Sequence, residues 1–110
     1  MELAFETPGL RRVCESDTEA RKHFPQSMAE ALQDRLADLR AATSAADLVA
    51  GRPSMDGWPP GQIRFGLEGG YELVCTANHP RPPVTDGGLV DFSRVRRVKI
   101  LKIGQEPHDG

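Results

Sequence analysis

Met28, Leu32, Leu36 and Leu39 recur at intervals of four, four and three, with Gln33, Asp34, Arg35, Asp38 and Arg40 filling the opposite side. That spacing puts the four apolar side chains on one face of a helix, so the stretch from about Met28 to Ala42 is amphipathic. Ser27, followed three residues later by Glu30, predicts a capping box in which hydroxyl and carboxylate each satisfy an orphan backbone N–H. A helix with one apolar face needs a second apolar surface to lie against.

The rest of the chain offers a sheet. Glu2 to Glu6 alternates polar and apolar, a short first strand with Leu3 and Phe5 on one face. Thr7, Pro8 and Gly9 turn into a helical stretch, Leu10 to Glu15, and the polar run Ser16 to Lys22 continues or follows it. Ser44 to Asp47 predicts a short helical turn ahead of Leu48 and Val49. The Gly- and Pro-rich GRPSMDGWPPG from Gly51 is a loop. Ile63, Phe65 and Leu67 alternate, as do Tyr71, Leu73 and Cys75, and LEGG between them predicts an antiparallel hairpin. Ala77 to Gly88 is loop, and Val95 to Ile103 is a closing strand whose consecutive Ile100 and Leu101 suggest cover on both faces. Residues 104–110 are expected to be a flexible tail.

The expected architecture is therefore α+β: an N-terminal strand and two helices, the helices packed on one face of a small, mostly antiparallel sheet with a C-terminal strand. With 110 residues the chain is read as a single domain, residues 1–110. No apolar run approaches the roughly 20 residues of a membrane span, and no secretory leader pattern opens the sequence. Cys14 and Cys75 are far apart with no Cys or His cluster around them, which predicts buried thiols in a reducing cytoplasm.

Charge is uneven. Residues 1–50 hold six Lys or Arg against nine Asp or Glu, and residues 51–110 hold eight against seven. Within the second half, FSRVRRVKILKI carries Arg94, Arg96, Arg97, Lys99 and Lys102 and no acid. Such a stripe attracts an anionic partner, RNA among them, although basic residues on a strand also serve simply as a solvated, protected edge.

No phosphate-cradling glycine loop, metal-spaced His pair or nucleophile elbow is present. His23 is expected to face solvent. His79 reads as a turn residue and Trp58 as a plug over the end of the sheet. His108 in EPHDG has a carboxylate beside it and suits proton transfer near neutral pH, or belongs to a disordered tail. Glu72, between Tyr71 and Leu73, puts a carboxylate into an otherwise apolar strand.

Taken in order, MELAFETPGLRRVCES, LQDRLADLRAATSAADL, GRP, GQIRF with GGYELV, and VRRVKILKI resemble the RelE/ParE superfamily, and more closely its HigB or "killer" branch. The resemblance covers nearly the whole chain. It implies a RelE-like fold and the toxin component of a type II toxin–antitoxin system. Such a protein is a metal-independent mRNA endoribonuclease without a cofactor, acting on the ribosome and held inactive by a cognate antitoxin, usually a helix-turn-helix DNA-binding protein. In that family basic side chains on the sheet stabilise phosphorane charge while a His or Tyr moves protons.

Carried over by position, Arg52 matches the family's loop arginine, Arg64 is basic near the expected place, and His108 resembles the histidine of the tail. Those three are the catalytic candidates; Arg81 and the five basic residues from Arg94 to Lys102 are candidates for RNA contact. Ser54 stands where a histidine is frequent, Pro107 replaces the tail tyrosine, and MDGWPPG has no basic residue. Glu72 occupies the position of a phosphate-binding arginine, a reversal of charge. The departures leave three activities open: a toxin with a rearranged site, one with another target such as gyrase, and a degenerate member acting as a protein-binding module.

Overall fold

The computed structural model describes residues 1–47 and 61–105. Arg52, Trp58 and the Gly51-to-Pro60 part of their loop lie outside the described residues, as do Leu48, Val49 and His108. The elements run β1 (Glu2–Phe5), α1 (Pro8–Glu15), α2 (Asp17–His23), α3 (Gln26–Ala41), β2 (Gln62–Gly66), β3 (Tyr71–Ala77) and β4 (Arg97–Gln105). Single 3₁₀ turns lie at Ala45–Asp47, Glu68–Gly70 and Phe92–Arg94. The class is α+β as expected, but the described residues hold three helices, not two.

The third helix arises at Ser16. Thr7 caps α1 by accepting from the Leu10 N–H at 3.0 Å, and Pro8 occupies the first helical position, where its missing N–H costs nothing. Ser16 has extended backbone angles; its N–H closes α1 on the Arg12 carbonyl and its hydroxyl accepts from the Glu19 N–H at 3.2 Å to open α2. One residue therefore ends one helix and starts the next. In α2 the acids Asp17 and Glu19 sit in the first turn and Arg21, Lys22 and His23 in the last, which complements the helix dipole.

The expected capping box on α3 is absent. The helix begins earlier, at Gln26, with Pro25 as an N-cap that makes no side-chain bond, and this puts Ser27 inside the first turn. Glu30 instead accepts from the Gln26 side chain at 3.0 Å. At the other end the Met1 ammonium donates to the carbonyls of Arg40 (2.7 Å), Ala42 (2.9 Å) and Leu39 (3.3 Å), placing a cation at the negative end of the helix dipole.

The sheet order is β1-β4-β3-β2, with β1 parallel to β4 and the other two pairings antiparallel. Gly69 and Gly70 supply the positive φ values, 67° and 79°, that turn β2 into β3. One face of the sheet carries the apolar rows Phe5–Ile100–Cys75–Ile63 and Ile103–Leu73–Phe65. Against it lie Cys14, Ala20, Ala29, Leu32, Leu36 and Leu39 from the helices, in one continuous core.

The closing strand differs from expectation at three points. It starts at Arg97, after Val95 has already been buried, and it runs through Gln105, so Gly104 and Gln105 belong to the strand and not to the tail. Ile100 and Leu101 are adjacent because of a bulge: β4 advances from Ile100 to Lys102 while β3 advances only from Cys75 to Val74. Leu101 is the extra residue, so the apolar pair does not report cover on both faces.

Candidate functional site

Directly paired residues of a sheet project to the same side, so the register assigns the second face without ambiguity. Away from the helices it presents Arg64, Val74 and Lys102 in one row, Gln62, Thr76, Lys99 and Ala4 in the next, and Arg97 opposite Glu2. Gly66, Glu72 and Gly104 form a further row. Three of the basic residues from β4 and the one from β2 thus project to the same side of the sheet, where Val74 and Glu72 are buried.

Most of these cations have acidic partners. Glu2 contacts Arg97 at 3.0 Å and Glu6 contacts Lys99 at 3.6 Å, so β1 and β4 carry complementary charges across a parallel pairing. Both pairs are largely exposed, and such pairs contribute only about 0–1 kcal/mol, which leaves the cations open to exchange with another anion. Arg94 pairs with Asp91 at 2.9 Å and also donates to the Val84 carbonyl at 2.6 Å, which ties it to the loop between β3 and β4. Arg81 lies exposed in that loop. Arg81, Arg96 and Lys102 make no ion pair among the described residues.

Glu72 explains itself differently. Its carboxylate lies 3.1 Å from the Arg64 guanidinium, diagonally across β2 and β3, and both side chains are more than four-fifths buried. Arg64 also approaches Gln62 at 3.5 Å. A carboxylate in an apolar strand is accounted for by the cation beside it, since an unpaired buried charge is strongly disfavoured. The pair also means that Arg64, a candidate for phosphate charge, has its guanidinium engaged by an anion from the same sheet.

Of the three catalytic candidates only Arg64 is among the described residues; Arg52 and His108 lie outside them. His23 is exposed, as expected. His79 is more than a turn residue: its Nε2 accepts from the Arg96 N–H at 3.1 Å, joining the exit of β3 to the entry of β4. No local pattern betrays this bond, because the two residues meet only through the sheet.

Three carboxyls outside the sheet are held below their ordinary range, Glu19 through its bond from Lys22. Asp91 accepts from the Ser93 hydroxyl and from Arg94; Asp47 accepts from the Thr43 hydroxyl, with the Arg96 cation a lesser contributor. Burial raises the thiols, Cys14 to about 11 and Cys75 further still. Thiols so placed are core atoms and not nucleophiles.

Among the described residues no cluster of His, Cys, Asp and Glu is suited to hold a metal ion, and no helix is long and apolar enough to cross a membrane. No family model matches the chain, and no curated protein and no solved structure matches it.

Proposed function

We propose that the chain is the toxin component of a toxin–antitoxin pair, of the RelE/ParE and specifically HigB-like kind, and that it engages RNA through the sheet face turned away from the helices. The observation that carries this reading is the gathering of Arg97, Lys99 and Lys102 on that one face by β4, with Arg64 on the same side but buried against Glu72. An array of guanidinium and ammonium groups on a rigid sheet suits a polyphosphate backbone, where affinity is electrostatic and independent of sequence. The resemblance in sequence order supplies the family, and the succession of strand, helices and three strands is compatible with it. A cognate antitoxin and the ribosome are the partners this reading requires.

The Arg64–Glu72 pair favours a second reading, in which the fold is kept and binding replaces cleavage. A carboxylate against the arginine that would face a scissile phosphate repels the charge a nuclease must stabilise. Inducible expression in a bacterium lacking the antitoxin, with growth followed and mRNA 5′ ends mapped, separates the two. Arrest with new ribosome-dependent ends supports the nuclease; arrest without them points to another target; normal growth with intact mRNA overturns the toxin reading and leaves a binding module.

A further inference from the structure

A polar cleft of about 750 Å³ opens where the start of β1, the end of α3, the exit of β3 and the entry of β4 converge. Met1, Glu2, Thr43, His79, Arg96 and Arg97 line it. We infer that this cleft binds a phosphate group, held between the Arg96 and Arg97 guanidinium forks.

The first support is the chemistry of the lining. It contains two guanidiniums, the Met1 ammonium and a single carboxylate, Glu2. Glu2 contacts Arg97 at 3.0 Å in a pair exposed on both sides, the kind of contact an incoming anion displaces. Arg96 has no ion-pair partner among the described residues. Asp47 stands nearby; its carboxylate accepts from the Thr43 hydroxyl and keeps its charge, which the Arg96 cation also feels, so an incoming phosphate competes with it for Arg96. Planar guanidinium forks match the tetrahedral oxygens of phosphate with paired, charge-assisted hydrogen bonds.

The second support is independent of charge. Four hydrogen bonds pin the short backbone stretch from which both arginines project: Ala45 N–H to the Val95 carbonyl (3.0 Å), Arg96 N–H to His79 Nε2 (3.1 Å), Glu2 N–H to the Arg96 carbonyl (3.1 Å) and Asn78 N–H to the Arg97 carbonyl (2.9 Å). Three other segments of the chain are thereby locked onto three consecutive residues. A root fixed in advance lowers the ordering cost of binding, a feature of sites more than of solvated surface. The bond to Nε2 also puts the proton of a neutral His79 ring on Nδ1, making that atom a donor.

The proposal deepens the RNA-binding reading by naming a phosphate subsite at the edge of the basic face, but the site itself does not depend on that reading. Phosphate chemistry has two sources here, the 5′ end of an RNA and a free phosphate compound. Pyrophosphate, a 5′-phosphorylated tetranucleotide and its 5′-hydroxyl counterpart are the probes, titrated into the intact chain at low salt and followed by amide chemical shifts. Pyrophosphate is expected to move the amides of Arg96 and Arg97, and Arg96→Ala to weaken it by about tenfold or more. Glu2→Gln is expected to tighten binding about threefold by removing the competing carboxylate, an effect that a merely structural Glu2 would not produce. Lys22→Ala, in α2 and outside the cleft, serves as the control and leaves pyrophosphate binding unchanged. Preference for the 5′-phosphorylated strand assigns the RNA end, and equal binding of both strands beside tight pyrophosphate binding assigns a free phosphate compound; either supports the site. Absence of millimolar binding, or affinity unmoved by both Arg96→Ala and Glu2→Gln in folded protein, overturns it.

Discussion

The Arg64 guanidinium stands 3.1 Å from the Glu72 carboxylate, on neighbouring strands of the sheet face turned away from the helices. The pair settles why an otherwise apolar strand tolerates a charge. It also couples the stability of β2 and β3 to the character of the surface they present.

Glu72→Ala should destabilise the fold by about 2 kcal/mol, below the roughly 3–5 kcal/mol seen when one partner of a fully buried pair is removed, because both side chains keep some contact with water. Urea unfolding measures it. A joint replacement, Arg64→Met with Glu72→Leu, should recover most of the loss, since apolar residues of similar volume remove both desolvation costs together. A double mutant as unstable as Glu72→Ala would show that the pair is not the source.

On the β1–β4 side the outcome should be opposite in kind. Glu2→Gln and Glu6→Gln remove carboxylates from exposed pairs and should change stability by less than about 0.5 kcal/mol. Each releases a cation on the basic face, so RNA should bind more tightly and its affinity should fall more steeply with salt. Unchanged salt dependence would place the RNA elsewhere.

The two thiols set an alkaline limit. The ordinary value is 9.0, and burial raises Cys14 to about 11 and Cys75 further. A raised folded value means that the stability is intact below about 9 and is lost as pH climbs from there toward about 11, because the unfolded chain releases its thiol protons first. At pH 8 neither thiol should react with an aromatic disulfide reagent until the chain unfolds. Rapid labelling of native protein would contradict the buried placement.

The acid limit belongs to carboxyls. Asp91 is lowered by Ser93 and Arg94, Asp47 by Thr43, and Glu19 by Lys22. A depressed folded value contributes stability that is present above the unfolded value and is lost as pH falls through the folded one, so the decline should set in below about pH 4. Asp91→Asn should flatten part of that limb and loosen the loop that Arg94 ties to the Val84 carbonyl, visible as faster amide exchange around Thr85 to Leu89.

Much of this arrangement is legible in local pattern. The stripe Met28, Leu32, Leu36, Leu39 reports a buried helix face, and the alternation around LEGG reports the hairpin, because both are set by neighbours a few residues apart. The split at Ser16 is harder to see: one serine closing a helix and opening another looks, in sequence, like a helix that continues. The α3 start is hidden in sequence because Ser27 and Glu30 have the spacing of a capping box while Pro25 starts the helix earlier. Complementary charges between β1 and β4, the Arg64–Glu72 contact and the His79–Arg96 bond depend on register, and register joins residues distant in the chain. A basic run read by itself therefore overstates how much positive charge stands unopposed.

The bulge at Leu101 gives the closing strand a tolerance its neighbours lack. In a regular strand, deleting one residue moves every later side chain to the opposite side of the sheet. Leu101 is surplus to the ladder, so Lys102 and Ile103 already face as they would if it were missing. It behaves as an insertion held in frame, and of all residues in β4 it is the one whose loss would leave both the core and the basic surface in phase.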